Sequence, residues 1–140
     1  MSLSHHSLVA WQRADDLFMT MHRLSREAFP AFERFELGQQ LRRAAFSAAV
    51  NIAEGFARPA GRARLNFLNI SQSSLAEVDY CVHVAQRLGY VSEERATELG
   101  VAMKQVGAPL AGLIRSERNK VFAGTAGLVF LILLLTARLA

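Results

Sequence analysis

The 140-residue sequence holds one cysteine, Cys81, with three prolines and one tryptophan. A single cysteine excludes an internal disulfide framework and any thiolate-cluster metal site. So few prolines, alongside nine glycines, leave too little turn chemistry for an all-β chain, and no hairpin signal occurs. Lysine is nearly missing, with two against fourteen arginines. Disorder is excluded as well, because 51% of the residues are hydrophobic and only 20% are charged. No Glu-x-x-His occurs anywhere, and a di-iron bundle requires that pair on two helices. No Gly-rich phosphate loop follows a strand pattern. Residues 1–6 lack a basic start followed by an apolar run, so they do not read as a secretory signal. With the lone cysteine, a cytoplasmic location is expected.

What is present is helical period. Leu8, Trp11, Ala14, Leu17, Phe18, Met21 and Leu24 recur every three to four positions and predict a helix over 7–27. Phe29-Pro30 stops it. Leu37, Leu41, Ala44, Ala45, Ala48 and Ile52 predict a second helix over 32–56, ended by Gly55 and Pro59-Ala60-Gly61. Phe67, Ile70, Ser71, Ser74, Val78, Cys81, Val82 and Ala85 predict a third over 62–88, with Gly89 at a left-handed C′ position and Tyr90 folding back on the last turn. Ser92 caps a fourth, with Glu93 and Glu94 in its first turn, ending near Asn119 and kinked at Pro109. Short connections force antiparallel neighbours. The expected fold is an all-α, antiparallel up-down-up-down four-helix bundle over 7–119 followed by an apolar tail over 120–140.

Helices two and three each carry a polar stripe beside the apolar one. Gln40, Arg43, Ser47, Asn51 and Glu54 are spaced 3, 4, 4, 3, which confines them to an arc of roughly 80°. Asn66, Asn69, Ser73, Glu77 and Tyr80 repeat that spacing. The expectation is a buried polar seam of Gln40, Arg43, Asn51, Glu54 and Glu77, with Arg43 paired to Glu54 or Glu77. Its roles would be a structural network, register at a subunit interface, a seam used for recognising a partner, or simply the wet face of each helix.

The same residues carry a resemblance. Val9-Ala10-Trp11-Gln12-Arg13-Ala14, Phe29-Pro30, the run from Leu37 to Ala45, Asn51-Ile52-Ala53-Glu54-Gly55, Ser73-Ser74-Leu75-Ala76-Glu77 and Leu88-Gly89-Tyr90 resemble the four-helix-bundle family named for proteins encoded in 23S rRNA intervening sequences. The chain is also similar to the accessory protein of diversity-generating retroelements. The resemblance covers about residues 8–116. It implies a small non-enzymatic bundle assembling with itself as a homopentamer. For some members it also implies a basic surface that contacts RNA, DNA or a reverse transcriptase.

Topology sorts the charges. The formal net charge is +4, but the bundle places Arg58, Arg62, Arg64, Arg115, Arg118 and Lys120 at one end against the single acid Glu117, with His5 and His6 beside them. The opposite end mixes Arg23, Arg26, Arg34, Arg87 and Arg95 with six glutamates. Cations complement the C-terminal dipoles of helices two and four. The same cluster also suits a phosphate backbone or an anionic membrane surface.

Residues 121–137 carry no charge. Seventeen residues lie at the lower limit for a spanning helix, which needs about 20. Arg115, Arg118 and Lys120 precede the run, as on a cytoplasmic flank, and Arg138 would snorkel at the far side. A membrane anchor, an apolar helix packed within an oligomer, and a disordered extension all fit.

Catalytic constellations are poor. Asp79 and His83 are four apart on helix three and read as a solvated pair. Cys81 reads as a small core hydrophobe, and Trp11 and Phe18 as core residues. No metal, cofactor or catalytic residue is expected. The sequence points to a non-enzymatic homo-oligomeric scaffold that contacts nucleic acid or a nucleic-acid enzyme through its basic end. The alternative is an adaptor tethered to a membrane through residues 121–137.

Overall fold

A computed structural model describes residues 4–139, with the side chains of residues 138 and 139 left aside. The expectations for Met1–Leu3 and for a snorkelling Arg138 side chain therefore lie outside the described residues. Four α-helices follow in order: α1 Val9–Glu27, α2 Leu37–Phe56, α3 Arg62–Arg87 and α4 Glu93–Leu139, with 3-10 turns at Ser4–Ser7 and Ala31–Phe35. No strand occurs among the described residues. Each helix packs on its chain neighbours, and α1 also packs on α4, closing the bundle.

One core fills the space between them. Ala14, Met21, Leu41, Ala45, Ile52, Leu68, Val78, Ala85, Leu99, Val106 and Leu110 are almost wholly removed from water. The predicted apolar faces are thus the packed ones, with local exceptions. Ile70 is about half exposed, and Ile114 is buried where Leu113 is only partly covered. Trp11 and Phe18 lie on the core's margin.

The boundaries follow local chemistry. At the end of α3, the Tyr90 N–H donates to the Ala85 carbonyl at 2.9 Å and the Gly89 N–H to Gln86 at 3.0 Å. Gly89 has φ +79°, a Schellman termination that only glycine adopts without strain. Ser92 Oγ accepts the Arg95 N–H at 3.1 Å, capping α4. The second helix starts later than its period suggests. Pro30 launches a 3-10 turn over Ala31–Phe35, and the Glu33 carboxylate swings inward to accept the Leu37 N–H at 3.1 Å, standing in for an N-cap. The Tyr90 hydroxyl donates to the other Glu33 oxygen at 3.0 Å. This binds the α1–α2 turn to the α3–α4 turn. Partial burial, then the bond to Glu33 and its charge, push the Tyr90 phenol above its ordinary value.

The fourth helix departs most from expectation. It does not end near Asn119 but runs unbroken through Pro109 and the apolar segment to Leu139. Bundle and tail are one helix of 47 residues, about 70 Å long at the usual rise. Almost all of 122–137 projects beyond the bundle and is exposed all round.

Candidate functional site: the cationic pole and its helical extension

The α2–α3 loop, the start of α1 and the middle of α4 meet at one pole, and Glu117 is the acid at their centre. Only 2% of it is exposed. Its Oε1 accepts the Gly61 N–H at 2.9 Å and lies 3.8 Å from Arg64 Nη1. Its Oε2 accepts from Lys120 Nζ at 3.0 Å. Gly61 has φ +132°, a conformation reserved for glycine, and that backbone aims its N–H at the carboxylate. A buried charge persists only when partners replace its water, and here three groups do so, one each from the α2–α3 loop, α3 and α4.

Arg64 is committed to the fold. Its Nε donates to the Gly55 carbonyl at 3.3 Å and its Nη2 to the Arg58 carbonyl at 2.7 Å, satisfying acceptors at the end of α2. Its guanidinium sits 4.5 Å from the Phe56 ring centroid. Arg58 lies 5.5 Å from the Phe67 ring centroid while remaining exposed. Arg62, Arg115 and Arg118 are exposed and enter no ion pair among the described residues. Of the six predicted contact residues, then, Arg64 serves the fold and Lys120 is shared with Glu117. The remaining four offer their charge outward.

The N-terminal turn docks on the same pole. Ser4 Oγ donates to the Phe56 carbonyl at 3.4 Å. His5 and His6 each place their ring centroid 4.9 Å from that of Trp11, and 4.5 Å from one another. Burial, and secondarily the charge of His6, hold His5 below its ordinary value.

From this pole the apolar half of α4 emerges. An 18-residue window in the span Glu93–Ala137 has mean hydropathy 2.0 and none of it is buried. Phe122, Leu128, Val129, Phe130, Leu131, Ile132, Leu133, Leu134 and Leu135 are all about half exposed or more. Apart from Thr125 and Thr136, residues 121–137 of the helix are apolar on every side.

The polar stripe takes a different form from the expected one. Gln40, Arg43, Glu54 and Glu77 are exposed and Asn51 is half-buried, so within one chain there is no buried seam of these residues. Arg43 pairs with neither Glu54 nor Glu77. It shares a shallow hollow of about 170 Å³ with Gln40, Ser47 and Glu77. The covered polar contacts between α2 and α3 come from serines instead. Ser71 Oγ donates to the Ala48 carbonyl at 2.6 Å, and Ser47 and Ser74 share a hydrogen bond of 2.8 Å. Asn51 Nδ2 donates to the Ser47 carbonyl at 2.8 Å. Serine is short enough to sit where helices touch, whereas the long charged side chains reach past the contact to water.

Among the described residues no three His, Cys, Asp or Glu side chains gather as a metal site. Cys81 is buried, and burial, then the Glu77 charge, push its thiol above the ordinary range. That leaves it a poor nucleophile. Asp79 and His83 are exposed beside Tyr80, whose ring stacks on that of His83 at 6.3 Å.

An all-helical bundle with this end-sorted charge is joined by a direct comparison. The profile of the 23S rRNA-intervening sequence protein family matches residues 6–112. The chain belongs to that family. The matched span ends inside α4, before the apolar half, so the features shared with other 23S rRNA-intervening sequence proteins are those of the bundle. No curated protein matches the chain. Two glycines in the resembling motifs acquire a physical reason. A Cβ on Gly38 would stand 2.8 Å from the Glu33 carbonyl oxygen, and one on Gly55 would stand 3.2 Å from Phe67 Cβ. Both mark places where backbone packs against a neighbouring element.

Proposed function

We propose that this chain is a non-enzymatic scaffold, assembled from several copies of itself and tethered to a membrane by the second half of α4, with its cationic pole on anionic lipid. The observation that carries the reading is the continuity of α4. A wholly exposed apolar helix leaves the bundle directly after Arg115, Arg118 and Lys120. Residues 121–137 rise about 26 Å, slightly under the roughly 30 Å hydrocarbon core. That mismatch draws the flanking cations down to the headgroups. Each exposed arginine at the surface then adds about 1 kcal/mol of attraction to anionic lipid. Self-assembly is what the family resemblance implies, and the exposed stripe of Gln40, Arg43, Glu54 and Glu77, solvated in one chain, is a face on which a second copy would set its register. The protein would face the cytoplasm.

Fractionation tests the tether. The full-length chain should pellet with membranes and resist a high-salt wash, while a chain ending at Asn119 should stay soluble. Full-length protein recovered in the soluble fraction would overturn the tether. Solution mass tests the assembly, and a monomer at all concentrations would end that part.

A second reading has its own support. Among the described residues Arg58, Arg62, Arg115 and Arg118 are exposed without acidic partners on one pole, the arrangement that holds RNA, DNA or an enzyme acting on them. Lipid and nucleic acid would compete for the same arginines. An RNA or DNA mobility shift that weakens steeply with salt, and is lost in Arg58→Gln/Arg62→Gln/Arg118→Gln, would favour the nucleic-acid partner. Binding that persists in that variant would count against it.

A further inference from the structure

The opposite pole carries a hollow that neither reading uses. It measures about 360 Å³ and lies between the end of α1, the 3-10 turn and the first turns of α2. Phe29 and Pro30 form an apolar floor, Phe35 a wall, and Arg26, Arg34 and Arg42 the rim. No acidic side chain lines it. Three acids flank its lining residues in sequence: Glu33 is 8% exposed and held by the Leu37 N–H and the Tyr90 hydroxyl, while Glu27 and Glu36, next to Arg26 and Phe35, are exposed.

The rim is built. Arg42 Nη1 donates to the buried Ser25 Oγ at 2.9 Å, and its Nη2 donates to the Arg34 carbonyl at 2.7 Å. The Arg42 guanidinium is thereby fixed in place, with further N–H donors left over. The Arg34 guanidinium lies 5.6 Å from the Phe35 ring centroid. Phe35 and its neighbour Phe32 are 75% and 72% exposed. Phenylalanine and arginine are both enriched at protein–protein interfaces, and of the two rings Phe35 lines the hollow.

The surroundings limit what fits. Glu27, Glu36, Glu93, Glu94 and Glu98 are exposed on or near this pole. A long polyanion or an anionic bilayer would meet those carboxylates. A short anion seated inside the hollow touches lining residues that include no carboxylate.

We propose that this hollow is a docking site for a short acidic peptide segment of a partner protein, one apolar side chain entering between Phe29 and Phe35 and flanking carboxylates engaging Arg26, Arg34 and Arg42. Guanidinium forks match carboxylates in geometry as well as charge. The site does not depend on the tail. It stands or falls separately from the membrane reading.

The test uses full-length protein in detergent micelles and a fluorescein-labelled hexapeptide, Asp-Leu-Glu-Phe-Asp-Glu, followed by fluorescence anisotropy. Saturable binding is expected, with affinity falling about tenfold or more in Arg26→Gln/Arg34→Gln and in Phe35→Ser, since each removes an interaction of order 1.4 kcal/mol. Arg42 is left intact because it also secures the turn. Hexa-aspartate should bind far more weakly, and a lysine-for-acid version of the peptide not at all. Absence of binding, equal binding of hexa-aspartate, or affinity unchanged in both variants would overturn the proposal. Far-ultraviolet circular dichroism of the variants separates lost docking from lost folding. Stronger binding of an oligonucleotide that the same variants abolish would assign the hollow to nucleic acid instead.

Discussion

The Glu117 carboxylate accepts the Gly61 N–H at 2.9 Å, joining the middle of α4 to the loop that starts α3. The two residues stand 56 positions apart, and the bond closes the pole around which the arginines are arranged. Glu117→Ala removes the acceptor for Gly61 and Lys120 and leaves Arg64 without its counter-charge. A loss of about 3–5 kcal/mol is expected, the range for breaking a buried pair from one side. Chemical denaturation of wild type and variant measures it. Arg118→Ala, one position on and exposed, should stay within about 0.5 kcal/mol.

Two helical glycines should respond in opposite directions. Gly38→Ala drives a Cβ to 2.8 Å from the Glu33 carbonyl oxygen, and overpacking of this kind costs about 1–3 kcal/mol. Gly100 lies in α4 with nothing within 4 Å of a built Cβ. There alanine should stabilise the helix by about 0.5–1 kcal/mol. Thermal melts of the two variants against wild type decide the signs.

The N-terminal turn should loosen on mild acidification. His5 sits below its ordinary value in the fold, so the unfolded turn binds the proton first. Docking of the turn is complete above the ordinary histidine range of about 6.5 and is lost as pH falls through the depressed folded value. Trp11 is the lone tryptophan and touches both histidines, so its emission reports the change. A titration from pH 8 to pH 4.5 should show a step that His5→Ala/His6→Ala removes.

Cys81 should resist thiol reagents. It is buried and its thiol is pushed up by burial and by Glu77. Under native conditions at pH 8, labelling by a disulfide reagent should run at least about tenfold slower than for a free thiol of ordinary pKa near 8.5. It should become complete on unfolding.

The bundle was legible because apolar residues at helical spacing have to be buried together, and Leu41, Ile52, Val78 and Val106 are. Gly89, through its missing Cβ, and Ser92, through its hydroxyl, announced caps by chemistry that acts within a few residues. The start of α2 was less legible, since Glu33 caps Leu37 only after Pro30 has set the turn and Tyr90 has arrived from the far side of the chain. Periodicity placed Arg43 and Glu77 on polar stripes, but it does not say how far a neighbouring helix covers a stripe: α3 reaches Ser47 and leaves Gln40, Arg43 and Glu54 in water. Glu117 was visible only as an acid among cations at Arg115, Arg118 and Lys120. That isolation was the available signal for a buried counter-charge. The loop that makes it buried is formed by residues far off in sequence.

A helix that is both a wall of the bundle and its projecting stalk has no swivel between the two. Turning the stalk about its long axis turns α4 within the bundle, and the packed core obliges the other three helices to turn with it. Any torque or tilt imposed on the residues past Lys120 thus reaches the far pole, where Glu93 begins the same rod, as rotation of the whole body.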